Sequence, residues 1–146
     1  MKKLKSFKAS NMSNFSLNIF TPAGIVTDGF ACEELIIPTE SGQINVLKGH
    51  THLVTKLGTG IVNAKLSNGQ TRHFTVAGGL CKILGEKINI LAKTSETAEQ
   101  VNQERAKSAL SKAQSRLQGP VTSVEVIKFQ RKIERAKARL KIANLK

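Results

Sequence analysis

The sequence predicts a chain of two textures: a β domain built as a sandwich or flattened barrel, followed by an antiparallel pair of helices. Three observations carry this. Apolar residues recur with a period of two as far as about residue 95. From there the period becomes that of a helix. A Gly119-Pro120 step interrupts the helical portion and divides it in two.

The β texture begins with FSLNIF, in which Phe15, Leu17 and Ile19 alternate with Ser16, Asn18 and Phe20. ELIIP and QINVL follow, each short and bounded by turn formers. GIVNAKL runs into Asn68-Gly69, a strong hairpin signal because both residues tolerate positive φ. TRHFTVA is the expected return strand. Gly78-Gly79 is then read as a break before LCKIL, and Gly85-Glu86 as the turn into KINILA. No alternation of strands with helices is present, which argues against a parallel sheet with nucleotide-binding crossovers.

The helical texture begins with TAEQVNQERAKSALSKAQSRLQ, rich in Ala, Gln, Lys and Glu. Ser95 or Thr97 is the expected cap, with Glu99 or Gln100 closing a capping box. Ala106, Leu110, Ala113 and Leu117 form its apolar stripe. A second helix starts at SVEV, where Val126, Phe129, Ile133, Ala136, Leu140 and Ala143 fall 3-4-3-4-3 apart. Small Ala residues on both stripes permit close approach. The domains expected are a flexible basic extension over 1–13, a β-sandwich over 14–96 and a two-helix hairpin over 97–146.

The formal charge is +13. Residues 98–146 hold 12 of the 23 Lys and Arg and only four acids, a net +8 on the smaller portion. Such an excess points to an anionic partner: nucleic acid, anionic lipid, a nucleotide or an acidic protein surface. On the second helix Lys128, Lys132, Arg135 and Arg139 are spaced 4, 3 and 4 along one face. Like charges so placed repel, and only Glu134 interrupts them, so the row reads either as a solvated face or as a docking face for something anionic.

Cys32 and Cys81 have no metal-knuckle spacing and read as small core residues in a reducing compartment. The leader MKKLKSFKASNMSNF is basic without an apolar run, unlike a secretory signal, and no apolar stretch reaches the length of a membrane span. His50 and His52, two apart, would share a side of a strand, with His73 as a third donor. No Cys, His or carboxylate near them sits at metal spacing, and no Glu stands by as a base, so neither a metal nor a catalytic residue is expected there. No Gly-x4-Gly-Lys-Ser/Thr phosphate loop occurs.

Beside this reading stands a resemblance that agrees with it. SGQINVLKGHTHLVTKLGTGIV resembles the stretch of the epsilon subunits of F-type ATP synthases that runs Gly, acidic residue, aliphatic, then Pro-Gly-His, an apolar strand and a glycine turn. VAGGLCKI is similar to that family's Gly-Gly strand start, and KINILAKTSETAEQVNQERA to its passage from last strand to first helix. The likeness spans about residues 14–146. It implies an N-terminal β-sandwich of about ten short strands followed by a C-terminal antiparallel α-helical hairpin. It implies a non-catalytic rotor-stalk subunit that binds gamma and the c-ring, couples proton flow to ATP synthesis, and is peripheral to the cytoplasmic face of the bacterial inner membrane.

The resemblance also implies site residues. Gln43, where relatives are acidic, and His50 would contact the c-ring, with Lys48 replacing the proline. The family's nucleotide motif reads Val101, Asn102, Gln103, Glu104, Arg105, Ala106 here, with Asn102 at its acidic position and Arg105 matching; Arg135 and Arg139 match its basic contacts. ATP would be a regulatory ligand and no cofactor would be required. The face of Lys128, Lys132, Arg135 and Arg139 would meet catalytic beta subunits when the hairpin extends and inhibits hydrolysis. A basic nucleic-acid-binding module is the alternative. The scarcity of aromatics, six Phe with no Trp or Tyr, counts against specific nucleic-acid recognition. A sandwich enzyme centred on the three histidines is a third reading.

Overall fold

The structure, a computed structural model, describes residues 14–47 and 52–145. Eight strands are formed: β1 (Phe15–Thr21), β2 (Gly24–Cys32), β3 (Glu34–Thr39), β4 (Gly42–Leu47), β5 (Leu53–Lys56), β6 (Thr59–Lys65), β7 (Thr71–Leu84) and β8 (Lys87–Glu96). A single 3-10 turn (Ala98–Gln100) leads to α1 (Gln103–Gln118) and α2 (Ser123–Ala143). The expected extension over 1–13 lies outside the described residues.

The strands pair in the order β2-β1-β8-β7-β6-β3-β4, with β5 added to β7. All neighbours are antiparallel except β1 and β8, which run parallel. The 14-residue β7 closes the sandwich. Its first half pairs with β6, Thr71 to Ala77, and its second half with β5, Leu80 to Ile83. One strand thus belongs to both layers.

The change of layer occurs at Gly78-Gly79, where the sequence pattern suggested a break between two strands. The glycines bend the strand instead of ending it. Both have positive φ, 71° and 118°, and a Cβ on Gly79 would lie 2.0 Å from the Leu91 carbonyl oxygen. Only glycine permits that approach of the β8 backbone. This continuity is one reason the described residues form eight strands where the family resemblance implies about ten. Conversely, β2 is a strand that the sequence pattern does not signal: it is an outer strand with register shifts along β1 and Gly29 at φ 70°, which removes the alternation.

Phe15, Leu17 and Ile19 of β1 are buried as expected, but Asn18, expected on the other side, is buried as well. The three apolar side chains pack with Leu35, Ile37, Val62, Val76, Ile83, Ile88 and Ile90 in an aliphatic core. Cys32 and Cys81 are free thiols in that core, and burial pushes both up to about 12. At the β6–β7 turn only Gly69 takes a positive φ; Asn68 instead accepts through Oδ1 from the Gln70 amide at 2.9 Å.

The first helix begins later than the sequence suggested. Thr97 does donate its amide to Gln100 Oε1 at 2.9 Å, but this box closes only the 3-10 turn. Asn102 is the cap of α1, its Oδ1 accepting from the Arg105 amide at 3.1 Å. The second helix starts at the expected place, where Thr122 and Glu125 form a reciprocal box. Both apolar stripes face inward: Ala106, Ala113, Phe129, Ala136 and Ala143 are buried, and Leu110, Leu117, Val126, Ile133 and Leu140 partly so.

Candidate functional site: a cationic groove in the hairpin

The two helices bury one stripe between them, and α2 buries a second line against the sandwich. Ile142 is fully buried and packs with Ile61 of β6 and Ala98 of the 3-10 turn, flanked by Val101. Ala138 lies above it, also buried. Close by, Arg139 Nε donates to Glu96 Oε1 at 2.6 Å, joining α2 to the last residue of β8. Complete burial of Ile142 contributes roughly 1.5–3 kcal/mol. The Arg139–Glu96 pair is part-exposed, 41% and 26%, and an exposed pair is worth about 0–1 kcal/mol. Apolar contact therefore holds the hairpin down, and the ion pair fixes where it sits.

Between the helices, with Thr94 of β8 as one wall, lies a groove of about 690 Å³. Its rim carries six cations: Arg105, Lys112 and Arg116 from α1, and Lys132, Arg135 and Arg139 from α2. Its floor includes Phe129, Ala109, Ala113 and Ala136, and no Asp or Glu lines it. Phe129 also has Arg116, Lys132 and Lys128 over its ring, at 5.3, 5.6 and 6.0 Å. The volume falls within the roughly 300–1,000 Å³ of small-molecule sites. An apolar floor with an all-cationic rim suits a ligand with a flat apolar part and several anionic oxygens.

The expected site residues divide accordingly. Arg105, Arg135 and Arg139 come together on this groove. Asn102 is not on its lining; its side chain is spent on the helix cap. Of the basic row, Lys132, Arg135 and Arg139 face the groove and Lys128 stands beside Phe129. Sequence reasoning missed Lys112, Arg116 and Phe129 as groove residues. The signal was there: Arg105, Lys112 and Arg116 are seven and four apart, one face of α1.

Gln43 is exposed at the start of β4, opposite Pro38. It lines a second groove, of about 440 Å³, whose far wall is Lys137 and Lys141 of α2. His50, proposed as its companion, lies outside the described residues, as does Lys48. His52, expected within a strand, lies one residue before β5, near the turn at Gly85. His73 is on β7, bonded through Nδ1 to Asn63 of β6, and burial lowers its pKa. Ten residues of β7 separate it from Ile83, the partner of Leu53, roughly 30 Å along the strand. His52 and His73 thus stand toward opposite ends of β7, which counts against a centre that joins them. Among the described residues no cluster of three metal-ligating side chains occurs, and no helix is long and apolar enough to cross a membrane.

Fold and groove together define a β-sandwich carrying a docked basic helical hairpin. Two family models cover almost the whole of it: the ATP synthase delta/epsilon chain β-sandwich domain over residues 14–98, and the ATP synthase delta/epsilon chain long α-helix domain over 99–144. The chain belongs to the ATP synthase delta/epsilon family. Among curated relatives, the ATP synthase epsilon chains of Staphylococcus aureus strains JH9 and Newman are each 35% identical over 135 residues, covering 92% of this chain and all of theirs. A chain of the Euglena gracilis mitochondrial ATP synthase, OSCP/F1/c-ring in rotational state 1, shares the fold at TM-score 0.78 and 21% identity, over 92% of this chain and 82% of that one. A chain of the Tetrahymena thermophila mitochondrial ATP synthase central stalk/c-ring does so at TM-score 0.61 and 12% identity, over 87% and 94%.

Proposed function

We propose that the chain is a non-catalytic rotor-stalk subunit of an F-type ATP synthase. It binds gamma and the c-ring, couples proton translocation to ATP synthesis, and restrains ATP hydrolysis through its C-terminal hairpin. The sandwich, residues 14–96, is the assembling part and the hairpin, 97–146, the regulatory part. The subunit sits on the cytoplasmic face of the bacterial inner membrane, held there through the complex, with Gln43 and His50 turned toward the c-ring.

The observation that carries this reading is the way the hairpin is attached. Its hold on the sandwich is a short apolar seam around Ile142 and one part-exposed ion pair. A contact of that size is released at modest cost, which suits a part that alternates between folded and extended positions. The groove adds regulation. Of the six cations Arg139 is paired with Glu96 and Arg116 faces Glu125, while Arg105, Lys112, Lys132 and Arg135 repel one another across the folded hairpin, and a polyanion such as ATP relieves the repulsion. ATP in the groove therefore favours the folded, non-inhibitory state.

The test is reconstitution of the complex with a chain truncated after Thr97. It is expected to assemble and to couple proton flow while losing restraint of hydrolysis. Failure of the shortened chain to join the complex would refute the division of labour.

A further inference from the structure

We propose that the groove of the hairpin selects its ligand by phosphate number and not by base: it is an oligophosphate site, in which a purine is received without being identified. This rests on reading the groove as the seat of a regulatory nucleotide, and it names the class of molecule that holds the hairpin down.

Identifying a base requires groups that match its edge. Adenine presents an N6 amino donor, and a site that singles it out needs an acceptor for that proton. Guanine presents the O6 and N7 acceptors, which an arginine engages through two donors. The groove is rich in the second chemistry and poor in the first. Arginine and lysine have donors and no acceptor, and they make up the whole charged rim. No Asn, Gln, Asp or Glu is on the lining, where the only side-chain acceptors are the hydroxyls of Thr94 and Ser108. A hydroxyl donates or accepts as its partner requires, so neither tells an amino group from a carbonyl. Backbone groups do not fill the gap: those of α1 and α2 are engaged along the helices, and Thr94 pairs with Ala77 of β7. Two further acceptors lie off the lining and are engaged. Asn102 Oδ1 takes the Arg105 amide at 3.1 Å, and Glu96 Oε1 takes Arg139 Nε at 2.6 Å.

Stacking discriminates no better. Phe129 is only 7% exposed, and three cations already surround its ring. What is left for a flat ring is the methyl surface of Ala109, Ala113 and Ala136. Contact with methyl groups scales with the area buried, which adenine and guanine offer alike.

Phosphates are met on different terms. Arg105, Lys112, Lys132 and Arg135 face one another across the groove with no carboxylate on its lining. Guanidinium forks match phosphate oxygens in geometry as well as in charge. Each further phosphate adds charge-assisted bonds to these cations, so affinity climbs with phosphate number and changes little with the base. A hairpin held in this way responds to the pool of triphosphates as a whole.

The experiment titrates the full chain, by calorimetry in magnesium-free buffer at low salt, with ATP, GTP, inorganic tripolyphosphate, ADP and AMP. ATP and GTP should bind within about threefold of each other, and tripolyphosphate within about tenfold of ATP. Each phosphate removed, to ADP and then to AMP, should weaken binding at least about fivefold. Arg135→Ala should weaken ATP, GTP and tripolyphosphate by the same factor, with melting curves to check that it folds; if it does not, the parental ratios decide. A preference for ATP over GTP of more than about tenfold overturns the proposal and leaves the regulatory ATP reading standing. Equal binding of ATP, ADP and AMP also overturns it, since phosphate number would then not matter. Failure of ATP and every other probe to bind the parent overturns both.

Discussion

Arg139 and Glu96 lie 43 residues apart in sequence and 2.6 Å apart in space. Their contact pins the hairpin's second helix to the end of the sandwich's last strand. Glu96→Gln keeps the shape and removes the charge. With both side chains partly exposed, the loss should be about 1 kcal/mol, or roughly fivefold in the population of the undocked hairpin. Hydrogen exchange of the α2 amides should accelerate by that factor while the β1, β7 and β8 amides stay unchanged. Equal exchange in variant and parent would mean that the pair only decorates a seam set by Ile142.

Asn102 offers a cleaner separation of roles. Its Oδ1 caps α1 through the Arg105 amide, and the side chain is absent from the groove lining. Asn102→Ala should cost about 1 kcal/mol of helix stability, a fall in melting temperature of about 3–5 °C for a chain of this size. ATP affinity, measured by titration well below the melting temperature, should change by less than about threefold. Arg135→Ala should do the reverse, weakening ATP with little effect on melting. If Asn102→Ala abolishes binding while the helix stays intact, the residue touches the ligand.

Glu125 gives a pH dependence with a definite sign. Its carboxylate accepts from the Thr122 amide at 3.2 Å, the Thr122 hydroxyl oxygen accepts in turn from the Glu125 amide, and the carboxylate faces Arg116 at 4.0 Å. The backbone hydrogen bond from Thr122, then the Thr122 side chain, then Arg116 and Lys128 hold its pKa below the ordinary 4.5. The folded value is depressed, so the stabilisation is complete above the unfolded pKa and is lost as pH falls through the folded one. The first turn of α2 should fray on acidification below about pH 4.5. In Glu125→Gln the amide shifts of Ser123 to Val126, followed by NMR, should lose that titration.

Much of this architecture could be read in advance because burial leaves a periodic trace. Phe15, Leu17 and Ile19 on β1, and Phe129, Ala136 and Ala143 on α2, are inward-facing as their spacing requires. What escaped was set by tertiary contact. Gly78-Gly79 has the composition of a turn, and only the nearness of the Leu91 carbonyl makes it a bend within one strand. Thr97 and Asn102 are both good caps, and which one opens the long helix depends on Val101 and Ala98 packing beneath Ile142. The groove was half legible: Lys132, Arg135 and Arg139 form a row on their own helix, but their meeting with Arg105, Lys112 and Arg116 depends on how the hairpin closes. Arg139–Glu96 left no local trace at all.

The same contact refines how the inhibitory face should be tested. The row Lys128, Lys132, Arg135 and Arg139 is proposed to meet an acidic part of the catalytic beta subunits when the hairpin extends. Replacing all four would confound two effects, because losing Arg139 also frees the hairpin from Glu96. The informative variant is Lys128→Ala/Lys132→Ala/Arg135→Ala, which leaves the ion pair in place. Each exposed pair is worth about 0–1 kcal/mol, so single replacements should do little and the triple should raise ATP hydrolysis by the complex several-fold. Salt should act in the same direction, since exposed charges are screened beyond about 8 Å at 0.15 M ionic strength. On the proposed reading, in which the extended hairpin restrains hydrolysis, ATP synthesis should respond less. The triple also removes groove cations and so weakens any ATP hold on the folded hairpin, which by itself would increase inhibition. A rise in hydrolysis therefore reports the beta contact and not the groove. Hydrolysis at the parental rate, at both low and high salt, would leave these three cations without a braking role.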